Sequence, residues 1–474
     1  MPVARDFRPS IAHANLGGDF FDEVAPATFP QHILRFRNQR WAERIGLGSL
    51  TDSEWIEHFG RFTALPGSLP TPLALRYHGH QFRTYNPDLG DGRGFLFGQA
   101  HDLKDGRLLD LATKGSGRTP WSRTADGRLT LKGGVREVLA TEMLEALGVD
   151  TSKSFSLIET GEDLMRGDEP SPTRSSVLVR LSHSHIRIGS FQRLLYLDEY
   201  QNMRKLIDHA IRTYMPHLWR DNGAERALAF MAEVCRLVAA TGANWMLAGF
   251  AHGVLNTDNI NVTGESFDYG PWRFLPVLDP AFTAAYFDET GLYAYGRQPD
   301  TLLWNLTRLA ECLLPIAEKS KLEDILHGFE PMFQHSFNAA MLRRLGLAPQ
   351  SGETTLALVR SVWKFLIDTK MPFEQFFFDW HGGRASEKRA ATSPSAEFYA
   401  QENFEPVFAT IAAHQPAAGT RLDHAYFSRP TPCTMLIDEV EALWKPIADS
   451  DDWSVFHGKL ADIAQMREAY SVRR

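Results

Sequence analysis

The sequence predicts an α+β protein of two lobes, a small β-rich front and a larger helical back. Three observations predict it. Strand and turn signals concentrate before about residue 190, and apolar residues recur at helical spacing beyond about residue 195. Near the middle, one long helical stretch delivers the chain into a polar loop, HGVLNTDN at residues 252–259. At 474 residues the chain is also longer than one hydrophobic core usually serves.

The elements follow in order. FLFGQA (95–100) and RLLDLATK (107–114) read as two strands of a hairpin, because the Asp-Gly pair in the linker HDLKDG favours a tight turn. A helix is expected from about Val135 to Leu147, with Val135, Val138, Leu139, Met143 and Leu147 on one stripe and Gly148 as its C-cap. EPSPT (169–173) reads as a loop, and RSSVLVRLSHSHIRIG (174–189) returns to strand-like alternation. From about Glu225 to Trp245, the residues Leu228, Met231, Cys235, Val238 and Trp245 recur at helical spacing. DTLLWNLTRLAECLLP (300–315) and AEFYAQENFEPVFATIAA (396–413) read as further core helices. The expected division is 1–75 as an N-terminal extension, 76–190 as the β-rich lobe, 191–395 as the helical lobe and 396–474 as a helical C-terminal extension.

Composition limits the function classes. Apolar residues make up 43% and charged residues 23%, and no uncharged apolar run approaches the roughly 18 residues of a membrane-spanning helix. No membrane role is expected. A net charge of -8 argues against nucleic-acid binding by the whole surface. Yet Arg83 to Arg136 holds ten Lys or Arg against six Asp, so an anionic ligand is expected at that stretch. The start, MPVARDFRPSIAHANLGG, lacks an apolar h-region and carries an early Asp6, which suggests an uncleaved cytoplasmic protein. Cys235, Cys312 and Cys433 are far apart and form no C-x-x-C pair, so neither a disulfide framework nor a zinc knuckle is indicated.

Four pieces together suggest a nucleotide site. In NPDLGDGRGFLFG, Gly90, Gly92 and Gly94 let a backbone approach phosphates, and Arg93 offers a fork-shaped donor; a glycine-rich hairpin without a ligand is the alternative. Lys114 closes a strand on the same side as Asp110 and Ala112, opposite Leu109 and Leu111, so it faces away from the apolar side. It reads as a cleft lysine or a solvated edge residue, and Glu137 on the following helix is its natural partner. Arg180 and Arg187, with Asp126 and Gly127 in WSRTADGRL, form the third piece; guanidinium groups suit phosphate oxygens, and a pair of surface charges is the alternative.

The fourth piece is HGVLNTDNINVTGESFDYG (252–270), the expected catalytic loop. It resembles the H-G-D-x-x-x-x-N loop of kinase-like enzymes, but Val254 stands where those enzymes put their base. Asp258, Asn259 and Asp268 supply a carboxylate for proton transfer and hard oxygen ligands for Mg²⁺. In an extended loop, Asp258 and Asn259 would point to opposite sides. Asp268 in Asp-Tyr-Gly is similar to the kinase Asp-Phe-Gly and lies nine residues past Asn259. An Asn/Asp-rich turn explains any one of these residues but not a kinase-like order of all four pieces. His78 with His80, and His183 with His185, are read as structural, since no helix of the HExxH type completes a metal site.

LGDGRG, TKGSGRTPWSR, GVREVLATEMLEALG, VRLSHSHIRIGSF, HGVLNTDNINVTGESFDYGP and the stretch LDPAFTAAYFDETGLYAYGRQPDTLLWNLTRLAECL resemble the selenoprotein O family, also called the YdiU family, over roughly residues 75 to 315. The resemblance implies a protein-kinase-like bilobal fold that binds ATP flipped, so that AMP rather than the γ-phosphoryl group passes to Ser, Thr or Tyr hydroxyls of proteins. It implies that Gly90, Gly92, Arg93, Lys114, Asp126, Gly127, Arg180 and Arg187 contact ATP. Asp258 would accept the proton, Asn259 and Asp268 would hold Mg²⁺ (Mn²⁺ as the alternative) beside the nucleotide, and Glu137 would orient Lys114. UTP is an alternative donor. Many family members end in a redox-active cysteine or selenocysteine tail, whereas the last cysteine here is Cys433, so redox control of that kind is not expected. The segment after about residue 395 matches the family pattern poorly and is expected only to be helical. The competing expectations are a phosphotransferase that moves the γ-phosphoryl group and, because of Val254, a non-enzymatic ATP-binding scaffold.

Overall fold

A computed structural model of the chain describes residues 5–167 and 169–470. Its centre is a nine-stranded, antiparallel sheet. The strands in chain order are β1 (Pro9–Ser10), β2 (Phe21–Glu23), β3 (Ile33–Arg37), β4 (Leu73–Leu75), β5 (Gly79–Gln81), β6 (Thr84–Asn86), β7 (Leu96–His101), β8 (Leu108–Lys114), β9 (Leu129–Thr130), β10 (Lys153–Leu164), β11 (Thr173–Ser182), β12 (Phe250–His252) and β13 (Trp272–Phe274). The main path runs β2-β4-β7-β8-β11-β10-β3, with β1 on β7 and β9 on β11. Two small hairpins, β5-β6 and β12-β13, stand apart. Four strands of the sheet come from the segment expected as an N-terminal extension.

The hairpin expected at 95–114 is β7-β8, with Gly98 opposite Leu111 and His101 opposite Leu108. On β8 the alternation puts Leu109 and Leu111 in a core with Trp41, Trp55, Phe59 and Phe155, supplied partly by the short helices Gln39–Arg44 and Asp52–Phe59. The other face, with Lys114 and Leu178 opposite each other, lies under the helix Leu131–Ala146, whose Val135 and Val138 pack with Leu157 and Leu178. Both faces of the strand are therefore covered. Lys114 is not a solvated edge lysine but a buried one, at 5% exposure.

That helix begins four residues before the expected start, because the Thr130 hydroxyl caps the Gly133 amide at 3.1 Å. Gly148 follows its end at φ +82°, the left-handed position that stops a helix. The strand-like reading of 174–189 holds only for its first half. β11 ends at Ser182, and Arg187 is the N-cap of a helix, Ile188–Tyr196, so Arg180 and Arg187 do not share a strand. Alternation alone missed this because SHSHI contains no local stop signal, while the Ser184 turn at φ +82° is held by tertiary contacts.

The long helix runs from Gly223 to Leu247, capped by Asn222, and Gly249 at φ +63° turns the chain into β12. Trp245 near its end donates to Ser266 Oγ at 2.9 Å, which ties the helix to the loop after it. The expected core helix at 300–315 is Gln298–Leu313. By contrast, 396–413 is not one helix: Ala396–Tyr399 stops, and Glu405–Ala412 restarts with Pro406 in its first turn. The final helix, Ser454–Tyr470, folds back on Leu131–Ala146, with Arg467 on Glu142, and Lys132 reaches Glu441 of the preceding helix, Ile437–Ser450, at 2.7 Å. The three cysteines are free and buried, and no helix among the described residues is long and apolar enough to cross a membrane.

Candidate active site

The site lies where the sheet meets the loops around β12-β13. A cavity of about 330 Å³ opens there, lined by Gly90, Gly92, Arg93, Lys114, Arg180, Arg187 and Asp268 of the sequence-predicted set. The register explains part of this. Arg180 is opposite Ala112 across β8-β11, one alternation from Lys114, so the two cations share a face of the sheet.

Lys114 Nζ contacts Glu137 Oε1 and stands 2.7 Å from Asp268 Oδ1. Arg180 Nη1 lies 3.4 Å from the same Asp268 oxygen. Burial by itself would raise the Asp268 carboxyl, but Lys114, Arg180 and Arg93 outweigh it and hold the group well below the usual carboxylate range. Asp268 adopts φ +62°, a left-handed conformation that costs a non-glycine residue energy. Its neighbours hold it there: Phe267 lies under Arg180 and Arg187, and Tyr269 is buried with its hydroxyl on Ser266 Oγ at 2.6 Å.

The glycine-rich segment is fixed by close packing. A Cβ on Gly90 would sit 2.4 Å from the Trp121 ring, and one on Gly94 would sit 2.0 Å from the Thr113 carbonyl oxygen. Between them, Asp91 accepts from Leu75 N at 3.1 Å and faces Arg187 at 3.6 Å. Arg187 is 3% exposed and stacks over Tyr77 at 4.1 Å.

Asp258 occupies a 3-10 turn, Thr257–Asn259, rather than the extended loop expected. Thr257 makes the turn, because its hydroxyl accepts from His80 N at 2.7 Å and donates to Gln192 Oε1 at 2.6 Å. Asp258 is buried against Gly79, and its Oδ1 has no hydrogen-bond partner among the described residues. Burial pushes its carboxyl up to about 7, against the pull of Arg187. Asn259 donates from Nδ2 to the Val254 carbonyl at 2.9 Å, which leaves its amide oxygen able to serve as a hard ligand. The Asn259 amide and the Asp268 carboxylate are each the kind of hard oxygen ligand that Mg²⁺ takes.

Not every expected residue lines the cavity. Asp258 sits behind Tyr77 and Arg187, Glu137 behind Lys114, and Asn259 borders a separate small cleft with Thr241 and Trp245. Asp126 pairs with Arg166 at 2.8 Å and accepts from Arg128 N, on the outer side of the loop that Gly127 closes at φ +72°. Sequence reasoning did not single out Tyr77, Asp91, Trp121, Ser122 and Arg123, all of which line the cavity. Trp121 and Ser122 lie in TKGSGRTPWSR, where the bulk of Trp121 among small residues was the available signal. The histidine pairs are engaged internally: His78 with the Tyr85 hydroxyl at 2.7 Å, and His183 with the Leu108 carbonyl at 2.8 Å.

The family model described as protein adenylyltransferase SelO matches residues 3–464. The chain belongs to the SelO family. It is 44% identical to the protein nucleotidyltransferase YdiU of Trichodesmium erythraeum, over 97% of this chain and 98% of that one. The corresponding protein of Gloeobacter violaceus is also 44% identical, over 98% and 96% of the two chains. That of Methylorubrum extorquens is 39% identical, over 73% and 70%. The SelO match reaches far beyond residues 75 to 315 and takes in the segment after 395, so the poor match expected there is corrected. That segment belongs to the family architecture, consistent with the docking of Ser454–Tyr470 on the helix that carries Glu137. The chain is accordingly a protein nucleotidyltransferase of the adenylyltransferase type.

Proposed function

We propose that the chain transfers AMP from ATP to Ser, Thr or Tyr hydroxyls of proteins, on a protein-kinase-like bilobal scaffold. One observation carries this reading. Asp258 keeps a buried carboxylate oxygen free of hydrogen bonds among the described residues, beside the Arg187 that lines a cation-rich cavity. A base at that position serves the phosphate nearest to it, while Arg93, Lys114 and Arg180, which line the cavity, attract the more highly charged end of the triphosphate.

The substrate hydroxyl gives its proton to Asp258 as its oxygen bonds to the α-phosphorus. The bond from that phosphorus to the β-phosphate oxygen breaks, and pyrophosphate leaves. Arg93, Lys114 and Arg180 stabilise its charge, and Glu137 keeps Lys114 aimed at it. Asn259 and Asp268 are the proposed Mg²⁺ ligands; the bound ion would neutralise phosphate charge and polarise the α-phosphate. Asp126 and Gly127 are proposed to reach ATP from the loop beside Ala125, which itself lines the cavity. The test is intact-mass measurement of a modified protein. A gain of one AMP that disappears in Asp258→Ala supports the reading; a gain of one phosphate contradicts it.

A further inference from the structure

Three of the exposed large apolar side chains, Phe82, Tyr286 and Phe287, form one contiguous group. Phe82 and Phe287 have ring centroids 5.9 Å apart, and Tyr286 and Phe287 are 5.2 Å apart. Tyr286 is 82% exposed, Phe287 46% and Phe82 38%. Their outward position is built. Ala284 and Ala285 are buried before the pair, and after it the buried Asp288 accepts from Leu292 N and Tyr293 N at 2.8 Å each.

Phe82 occupies the turn of the β5-β6 hairpin at φ +48°, followed by Arg83 at φ +64°. Such turns favour Asn and Gly, so two bulky residues there are held against their preference. The holding contacts lead to the proposed base. Phe82 N–H donates to Asn256 Oδ1 at 3.1 Å, and the Tyr293 hydroxyl donates to the same oxygen at 2.7 Å. The Phe82 ring packs on Tyr293 with centroids 4.9 Å apart. Asn256 is the N-cap of the turn that carries Asp258. None of the three aromatic residues lines the nucleotide cavity.

A peptide spans roughly 3.3 Å per residue, so residues one to three positions from a hydroxyl at Asp258 fall within roughly 10 Å of it. Exposed aromatic rings on a fixed backbone offer large contact area with little further ordering. We propose that Phe82, Tyr286 and Phe287 form the docking platform for the protein substrate, and that they favour acceptor segments with an apolar or aromatic side chain near the modified hydroxyl. This rests on the transferase reading above, since the platform is continuous with the loop of Asp258.

The test uses the full chain and two fluorescent peptides, each with one serine, flanked by leucines in one and by glutamines in the other. The leucine peptide is expected to show a KM at least about tenfold lower, and Tyr286→Ala and Phe287→Ala each to raise that KM about tenfold with kcat and ATP affinity unchanged. Tyr286→Phe restores it. Fluorescence anisotropy without ATP reads the same preference independently of turnover. Equal binding of the two peptides, or variants that bind the leucine peptide as wild type does, overturns the platform. So does sedimentation showing a wild-type dimer that Tyr286→Ala makes monomeric, which would assign the patch to a second copy of the chain. Platform-dependent peptide binding with no AMP transfer would keep the docking surface and remove the transferase reading.

Discussion

Lys114 Nζ lies 2.7 Å from Asp268 Oδ1 while also contacting Glu137, so one ammonium on the sheet joins the helix Leu131–Ala146 to the loop after the proposed base. Removing it leaves Glu137 as a buried, uncompensated carboxylate. Lys114→Met is expected to cost on the order of 3–5 kcal/mol of stability and to weaken nucleotide binding. Thermal denaturation and calorimetric ATP titration check both, and Glu137→Gln should show a smaller loss in each.

Asp258→Asn keeps the shape of the turn but cannot accept a proton. Transfer is expected to fall roughly 10²- to 10⁴-fold while ATP binding persists, because the cavity lining is untouched. Single-turnover transfer and nucleotide titration on the same preparation separate the two.

The helix and strand that carry Glu137 and Lys114 were legible because each has a clear period: alternation in RLLDLATK and a stripe in GVREVLATEML. The covering of both faces of β8 was not. It depends on Trp41, Trp55 and Phe59 from a segment that looked like an appendage, and such pairing over long sequence separation leaves no local mark. The reading of Arg180 and Arg187 as one strand failed for the same reason, since the stop after Ser182 is set by tertiary contact. In the loop, residue type showed a carboxylate and an amide side by side at Asp258 and Asn259. The 3-10 turn was hidden, because Thr257 is held by His80 and Gln192 from distant segments.

Chelation should abolish transfer, and added Mg²⁺ or Mn²⁺ should restore it. Asp268→Asn removes the carboxylate of the proposed metal site and is expected to show no restoration at millimolar metal. A variant that responds to Mg²⁺ like wild type would remove Asp268 from the metal site. Metal-dependent nucleotide affinity is the readout.

Glu145 ties its own helix to Gln39–Arg44 through Arg40 and to the final helix through Arg467. Burial would raise its carboxyl, but the hydrogen bond from Arg40 and the charges of Lys153, Arg40 and Arg467 draw it down to about 2. Its folded value is depressed, so its contribution, on the order of 3 kcal/mol, is present above the unfolded value near 4.5 and is lost as pH falls toward 2. Glu145→Gln should lower stability at neutral pH and flatten the fall between about pH 4.5 and 2. Denaturant unfolding across that range checks it.

The α-phosphate, not the γ-phosphate, is the one proposed to be attacked. Incubation of the enzyme and a protein substrate with ATP labelled at either position tests it most directly. Label is expected to stay on protein only from the α-position, with pyrophosphate released. Label retained only from the γ-position would show a phosphotransferase, and label from neither would show a binding scaffold; each result would contradict it.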